Sequence, residues 1–283
     1  MISNSFKVKS DINLNITHFT PQADQSQPVI IFIHPTGFVS NMFATVVAHL
    51  RGFNCFGLDL RSHGASDRGN VTDWAFLGND LVSVFNALKK RTGHEKFYGV
   101  GISSGSSTLA LHASKHSEDF HALYLCEPIV FPPDADLATR EFLANSAKNR
   151  RDTFESKEIV FERFSSRGAL ASLDKSSLAL YAEYGFKEIS EGVTLCCNKE
   201  DEEAIYLSGS ENNVYEILSE IKVKTHIIYG EISNTISNDF AKEIAGRIQD
   251  SSVEELAGVG HFTLFENPTL GAESITRFIR DNS

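Results

Sequence analysis

The sequence is poor in cysteine and has no long apolar segment near its start. Among 283 residues there are four cysteines, of which Cys55 and Cys126 lie in apolar runs while Cys196 and Cys197 are adjacent. This spacing does not suit a disulfide framework, and buried free thiols are typical of a reducing compartment. The first 19 residues alternate polar and apolar side chains, unlike a signal peptide or a membrane span. We therefore expect a soluble, cytoplasmic protein that does not bind membranes.

Positive charge is also scarce. The chain has 26 Lys and Arg against 37 Asp and Glu, which gives a net charge of -11 at pH 7. Such an acidic chain is a poor partner for nucleic acid or for an anionic membrane surface. No His, Cys and Asp residues cluster at metal-ligand spacing, so we expect neither a metal nor an organic cofactor. The sequence leaves the oligomeric state open.

Short strand-like runs alternate with helical segments along most of the chain. Most of these runs are apolar on both faces, as in parallel strands that helices cover on each side. Amphipathic segments such as Asn79–Leu88 separate them. We therefore expect an α/β protein with a mostly parallel central sheet flanked by helices. The predicted strands are one or two within Phe6–Phe19, then Val29–Ile33, Cys55–Leu60, Phe97–Val100, Ala122–Cys126, Thr225–Tyr229 and Val253–Leu256.

One interval breaks this alternation. Between Phe131 and Ile221 the pattern is mostly helical and rich in aromatic residues, with a single weak strand candidate at Val193–Cys197. Roughly 90 residues is too long for a simple connection and short for an independent domain. We expect residues 132–221 to form a helical cap or lid, inserted into a core built from residues 1–131 and 222–283. An ordinary helical excursion at the edge of the sheet is the alternative.

The stretch YGVGISSGSSTLALHA places Ser103 between two glycines, at the point where a predicted strand gives way to a helix. A serine hydroxyl is a weak nucleophile unless it is held exposed and a base takes its proton. A sharp strand-to-helix turn exposes the hydroxyl and brings the residues two before and two after it close together. Glycine at both places, Gly101 and Gly105, removes side chains that would collide. The pattern predicts Ser103 as a nucleophile.

A second loop, residues 33–38, follows the most hydrophobic predicted strand. An acyl-transfer site of this architecture needs a backbone N–H here, directed at a developing oxyanion. Pro35 has no N–H, so the donor would be the amide of Thr36 or Gly37, paired with the amide of Ser104. A plain glycine turn after a strand is the alternative.

A third loop, Gly258–Phe262, follows the last predicted strand and contains His261. A histidine at the carboxyl end of a strand can approach a nucleophile carried by a neighbouring strand. His261 is therefore the predicted base. It also comes last in the order serine, acid, histidine.

Taken together, these motifs resemble those of the α/β-hydrolase family. The resemblance extends over most of the chain through four ordered segments at residues 34–37, 59–66, 101–105 and 260–261. It implies the α/β-hydrolase fold and the activity of a serine hydrolase. The second segment is similar to the family's D-x-R-G-x-G-x-S loop, with Ser62 in place of a glycine. We interpret this segment as a structural turn held by Asp59 and Arg61.

The acid of the expected triad departs from the family pattern. The family commonly places it in a loop after the next-to-last main strand, which here reads Gly230–Thr235, and Asn234 stands where an aspartate would be expected. An amide can hold an imidazole but cannot compensate the charge of the imidazolium.

Glu127 offers another carboxylate, because it lies at the tip of the strand that follows the nucleophile's. Some relatives, notably haloalkane dehalogenases, carry their acid at this position. We therefore predict a triad of Ser103, His261 and Glu127, with Glu231 and Asp239 as alternative acids. A carboxylate that merely accepts hydrogen bonds from loop amides is the non-catalytic interpretation of Glu127.

A serine nucleophile favours cleavage of an ester, thioester, lactone or amide. The aromatic residues of the 132–221 interval favour a small or medium, largely apolar substrate, and we expect its acidic run Glu200–Glu203 to be a solvated helix face. Carbon–carbon bond hydrolysis or acyl transfer on the same triad is an alternative. A non-catalytic ligand-binding protein that kept the fold but lost its acid is another, and Asn234 is the residue that favours it.

Overall fold

The computed structural model of the chain describes residues 4–132, 135, 138–208 and 214–282. Pro133 and Asp134, near the start of the predicted lid, lie outside these residues. The strands are β1 Asn4–Lys9, β2 Asn13–His18, β3 Val29–Ile33, β4 Asn54–Asp59, β5 Phe97–Ile102, β6 Phe120–Cys126, β7 Thr153–Phe154, β8 Phe186–Ile189, β9 Gly192–Leu195, β10 Thr225–Gly230 and β11 Ser251–Leu256. The helices are α1 Ala44–Val47, α2 Ala75–Thr92, α3 Ser104–Ala113, α4 Ala138–Asn149, α5 Lys157–Ser166, α6 Lys175–Tyr184, α7 Lys199–Ser208, α8 Val214–Ile217, α9 Asn238–Gly246, α10 Thr263–Glu266 and α11 Pro268–Arg280.

Within these ranges, eight strands form a central sheet in the order β1-β2-β4-β3-β5-β6-β10-β11. The hairpin β1-β2 is antiparallel and joins β4 in antiparallel fashion, and all pairs from β4 to β11 are parallel. The prediction of an α/β fold with a mostly parallel sheet is confirmed. Each predicted run lies on one of these strands, with ends shifted by up to two residues.

Helices cover both faces of the sheet. Successive residues of a strand point to opposite faces, so Ile31 and Ile33 of β3 pack in one apolar cluster while Ile30 and Phe32 pack in the other. Residues of α2, α3 and α9 complete the first cluster, and residues of α1, α10 and α11 complete the second. Two-sided burial explains why the parallel strands carry continuous apolar runs.

Residues 138–208, which we call the inserted segment, lie between β6 and β10. They form α4 to α7 and a second sheet, antiparallel, in the order β7-β9-β8. The prediction of a single strand here was incomplete. The candidate at Val193–Cys197 corresponds to β9, whereas β7 and β8 have only two and four residues, too few to show an alternating pattern.

The parallel strands direct five loops to one edge of the sheet. The segments that follow β3, β5, β6, β10 and β11 begin at the carboxyl ends of these strands, which meet at that edge because the strands run parallel. Ser103, Glu127 and His261 all lie in these segments. The topology therefore brings together residues that are up to 158 positions apart in the chain.

Close approach of α3 to β3 fixes the turn at Ser103. A Cβ atom on Gly105 would lie 2.2 Å from the carbonyl oxygen of Ile33, and one on Gly101 would lie 2.5 Å from the amide nitrogen of Ser106. No side chain fits at either position. A side chain on Gly101 would collide with the start of α3, as expected. A side chain on Gly105 would instead collide with the end of β3.

We expect Gly105→Ala to lower the free energy of unfolding by about 2 to 3 kcal/mol, because the backbone of β3 or α3 must shift to admit the methyl group. Urea unfolding followed by circular dichroism measures this change. Gly246→Ala is the matched control, since nothing lies within 4 Å of its Cβ position, and it should stabilise the protein by about 0.4 to 1 kcal/mol. Equal unfolding midpoints for the two variants would contradict the steric argument.

Candidate active site

Ser103 occupies a strained turn between β5 and α3. Its backbone lies at φ 56° and ψ -123°, outside the regions that L-residues prefer. Its N–H donates to the carbonyl oxygen of Cys126 at 2.8 Å, which continues the pairing of β5 with β6 and holds the strain. Among the described residues no hydrogen-bond partner lies within reach of Ser103 Oγ. The hydroxyl is thus free to engage a ligand or a base.

Glu127 follows β6 and is fully buried. Its backbone is also left-handed, at φ 48°. One carboxylate oxygen, Oε1, accepts from the amide of Gly230 at 2.8 Å, and the other, Oε2, accepts from Ser233 Oγ at 2.8 Å. Nδ1 of His261 lies 3.1 Å from Oε2. The glutamate accepts a loop amide, as its non-catalytic interpretation requires, but it also contacts the predicted base.

This contact determines which nitrogen of His261 carries a proton. An ionised carboxylate only accepts hydrogen bonds, so Nδ1–H donates to Glu127 and Nε2 keeps its lone pair. Nε2 has no hydrogen-bond partner within the described ranges. The tautomer is therefore the one in which Nε2 can act as a general base.

Two further residues, missed in the sequence, position the imidazole. Glu266 accepts from the amides on either side of His261, from Gly260 at 2.7 Å and from Phe262 at 3.0 Å. Gly230 lets this loop pass closely over β10, since a Cβ there would lie 2.3 Å from the carbonyl oxygen of Val259. The sequence feature that could have identified Glu266 is a carboxylate shortly after the histidine loop, at the end of a short helix.

The alternative acids do not contact His261. Glu231 is exposed and accepts from the amide of Gly258 at 2.7 Å. Asp239 is exposed in the first turn of α9. Asn234 is exposed at the edge of the cavity, while its neighbour Ser233 bonds to the buried acid.

The loop after β3 is hydrogen-bonded in a way that the sequence did not reveal. The amide of Thr36 donates to Ser104 Oγ at 2.8 Å, and the amide of Gly37 donates to His63 Nε2 at 3.0 Å. Both amides predicted as alternatives for an oxyanion hole are thus engaged. The Gly37 amide is directed at a fully buried imidazole, so it does not serve the predicted role. The amide of Ser104 has no partner among the described residues.

Two buried histidines support this loop. His34 Nε2 accepts from the amide of Leu60 at 3.0 Å, and His63 donates from Nδ1 to the carbonyl oxygen of Arg61 at 2.8 Å. Burial lowers the pKa of both, that of His63 to about 3 with a further contribution from neighbouring His34. His63 therefore stays neutral and keeps the lone pair that accepts from Gly37.

The 59–66 turn has the structural role predicted for it. Asp59 accepts from the amides of Ser40 at 2.8 Å and Ala65 at 3.0 Å. Arg61 is buried and forms two 2.7 Å hydrogen bonds to Asp80 of α2. Ser62, in place of the usual glycine, takes a left-handed conformation at φ 64°.

Ser103, Ser104 and His261 line a cavity of about 680 Å³ between the edge of the sheet and the inserted segment. Most of its wall is apolar or aromatic. The lining from the inserted segment includes Phe142, Leu143, Phe164, Leu170, Tyr181 and Tyr206, and the lining from the rest of the chain includes Phe38, Trp74, Ile129, Val130, Phe131 and Phe262.

One ion pair lies in this wall. Arg150 contacts both carboxylate oxygens of Glu202, at 3.0 and 2.7 Å, and donates to Tyr181 Oη at 3.0 Å. Asp201 next to it is paired with Arg68 at 2.8 Å. Asp201 and Glu202 are buried, so the interpretation of Glu200–Glu203 as a fully solvated face was wrong for these two residues.

In the part of the chain that the structure describes, no group of three or more His, Cys, Asp or Glu side chains is arranged to hold a metal ion. None of the helices in these ranges combines the length and the apolar character needed to cross a bilayer.

Comparison with known proteins agrees with the fold. A family model described as the alpha/beta hydrolase fold matches residues 28–268. The chain belongs to the α/β-hydrolase family. This hydrolase is 22% identical over 264 residues to monoacylglycerol lipase ABHD6 of Rattus norvegicus, covering 89% of this chain and 75% of that protein. It is 24% identical over 266 residues to the AB hydrolase superfamily protein YisY of Bacillus subtilis, covering 89% and 91%.

Solved structures give the same fold. The structure of E-2-(acetamidomethylene)succinate hydrolase superposes on this hydrolase with a TM-score of 0.85 at 19% identity, covering 99% of this chain and 100% of that one. An esterase from Thermogutta terrifontis superposes with a TM-score of 0.74 at 17% identity, covering 99% of each chain.

We expect Glu127→Gln to lower the turnover of an ester substrate by about 10⁴-fold, because an amide cannot compensate the imidazolium charge. Asn234→Ala should leave turnover near that of wild type. Steady-state kinetics on both variants, with thermal unfolding to confirm that each folds, makes the comparison. Near-wild-type turnover of a folded Glu127→Gln protein would exclude Glu127 as the acid.

The buried His63 predicts a specific loss of stability in acid. Its folded pKa of about 3 lies below the value of about 6.5 for an unfolded histidine, so the unfolded state binds a proton that the folded state does not. Its contribution to stability is therefore present above about pH 6.5 and is lost as pH falls toward 3, by about 1.4 kcal/mol per pH unit.

The substitution His63→Gln should reduce the drop in unfolding free energy between pH 7.5 and 4.5 by about 2 to 3 kcal/mol relative to wild type. Glutamine removes the titration but can still accept from Gly37. His49→Gln, at an exposed histidine, is the control and should keep the wild-type drop. Urea unfolding at the two pH values measures the drop in unfolding free energy. An unchanged drop in His63→Gln would contradict the assignment of this acid-dependent loss to His63.

Proposed function

We propose that this hydrolase cleaves a carboxylic ester, lactone or thioester of a small or medium, largely apolar compound, through a triad of Ser103, His261 and Glu127. The observation that carries the proposal is the 3.1 Å contact between Glu127 Oε2 and His261 Nδ1, at a cavity that Ser103 also lines. The partner is accordingly a small molecule, with no role for a cofactor.

The chemistry follows from the protonation states of these groups. His261 Nε2 takes the proton of Ser103 Oγ as the oxygen attacks the acyl carbon, and Glu127 compensates the charge that forms on the imidazole. The protonated imidazole then gives its proton to the leaving group. Water, activated by the same nitrogen, attacks the acyl-enzyme and releases the acid.

The shape of the cavity supports the substrate class. A volume of about 680 Å³ lies within the range of small-molecule sites. Its largely apolar wall favours an apolar acyl or alcohol group, which gains free energy by leaving water. The inserted segment supplies one side of this wall, and we propose that it serves as the cap of the site. The names of the rat monoacylglycerol lipase and the Thermogutta esterase agree with an ester as substrate.

A fluorophosphonate probe tests the nucleophile directly, because it reacts covalently with an activated serine. We expect stoichiometric labelling of wild type, measured by intact mass, and none in Ser103→Ala. Ser106→Ala is the control, since its hydroxyl is buried on the same helix but bonds to the carbonyl oxygen of Cys126, and it should label normally. No labelling of folded wild type would instead favour a ligand-binding protein.

A panel of p-nitrophenyl esters of increasing chain length, together with a set of lactones, would then identify the substrate class. We expect kcat/KM to rise with acyl length until the cavity is filled. Labelling without turnover of any ester, lactone or thioester would contradict hydrolysis of these bonds.

A further inference from the structure

Ser104, the residue after the proposed nucleophile, has an unusual side-chain environment. Its Oγ accepts a hydrogen bond from the amide of Thr36 at 2.8 Å and another from Thr36 Oγ1 at 2.9 Å. The residue is 2% exposed, and it lines the cavity beside Ser103. A single threonine therefore holds this hydroxyl by two bonds.

The proton of Ser104 has one direction left. A hydroxyl group has two acceptor positions and one donor proton, and Thr36 fills both acceptor positions. No acceptor for that proton is present among the described residues. Ser104 is one of the residues that line the cavity. The hydroxyl is thus a donor without an acceptor at the wall of a ligand site.

The proposed reaction needs a second hydrogen-bond donor to the oxyanion beside Ser103. An oxyanion needs two or more preorganised donors. The amide of Ser104 is available, but the amide of Thr36 is directed at Ser104 Oγ and the amide of Gly37 at His63 Nε2. The loop that was expected to supply the second donor has its N–H groups aimed elsewhere.

We propose that the hydroxyl of Ser104 supplies this second donor, and that Thr36 is a positioning residue that aligns it. The inference rests on the proposed acyl-transfer function. Hydrogen bonds in a chain polarise one another, so two bonds accepted from Thr36 strengthen the O–H as a donor.

The step balances without proton loss from Ser104. Ser103 Oγ forms a bond to the acyl carbon, the carbonyl π electrons move onto the oxygen, and His261 takes the Ser103 proton. Ser104 donates hydrogen bonds to the oxyanion from its amide and its hydroxyl and keeps both protons. When the carbonyl re-forms, the leaving group departs with the proton from His261.

The experiment measures kcat and KM for Ser104→Ala on an ester that wild type hydrolyses. We expect kcat to fall by about 10²- to 10³-fold, the usual effect of removing one oxyanion donor, with KM nearly unchanged. Affinity for a trifluoromethyl ketone, which forms a tetrahedral adduct with the serine, should fall in the same proportion as kcat/KM. A role in folding alone would not produce that proportionality. Ser114→Ala, whose hydroxyl donates to the carbonyl oxygen of Leu111 at the far end of α3, is the control and should keep wild-type kinetics.

A different result for Ser104→Ala would exclude the hydroxyl as an oxyanion donor. If Ser104 Oγ only occupies the Thr36 amide, Ser104→Ala frees that amide for the oxyanion, and kcat stays constant or rises. That result would overturn the inference and leave the proposed function intact. Wild type that neither labels at Ser103 nor turns over would overturn both.

Thr36→Val gives a second test that does not alter Ser104. It keeps the backbone amide and removes only the Oγ1 donor, so we expect kcat to fall by about 3- to 10-fold. An unchanged kcat in this variant would contradict the positioning role of Thr36. Should Ser104→Ala fail to fold, this variant carries the test.

Discussion

The buried carboxylate of Glu127 is the constraint on which the geometry of the site depends. An ionised group with no exposed surface is costly unless it is paired and hydrogen-bonded. Glu127 meets this requirement with the amide of Gly230, the hydroxyl of Ser233 and the imidazole of His261. Two segments more than 100 residues away in the chain, the loop at the end of β10 and the histidine loop, are thereby held at one point. Any shift of the histidine loop would leave the carboxylate incompletely satisfied.

The same contacts explain how a carboxylate from β6 can reach His261 although the usual loop holds an asparagine. β6 and β10 are adjacent parallel strands, with Cys126 paired to Ile228. Their carboxyl tips are neighbours, so a carboxylate from either strand can reach the same imidazole nitrogen. With this carboxylate at the end of β6, the loop after β10 supplies hydrogen-bond donors to it. Ser233 and Gly230 provide these donors, and Asn234 is left outside the network.

On the other side of the cavity, the loop after β3 is held by a similar set of buried hydrogen bonds. Two buried histidines hold the loop after β3, because Gly37 donates to a ring nitrogen of His63 and Leu60 donates to one of His34. Burial lowers the pKa of both histidines and keeps them neutral, so that these nitrogens can accept. Nearby, Arg150 and Glu202 pair within the wall that the inserted segment contributes. Polar groups around this cavity thus mostly satisfy one another. Among the described residues, the groups at this cavity without a hydrogen-bond partner include the hydroxyl of Ser103, the amide of Ser104 and Nε2 of His261.

The sequence by itself determined the strands of the large sheet and the two glycines around Ser103, and it led to the prediction of Ser103, His261 and Glu127 as a triad. Each of these rests on a local constraint. Two-sided burial produces an apolar run, a tight crossing excludes a Cβ, and a strand tip places its next residue at the edge of the sheet.

Only the tertiary structure decided which donors meet which acceptors. The contact of Ser233 with Glu127, the capture of the Gly37 amide by His63 and the pairing of Arg150 with Glu202 join residues from 26 to 106 positions apart. No local pattern encodes such a contact, because the distance between its partners is fixed by the packing of whole strands and helices. The small sheet of the inserted segment was missed for a related reason, since strands of two and four residues are stabilised by their neighbours rather than by their own sequence.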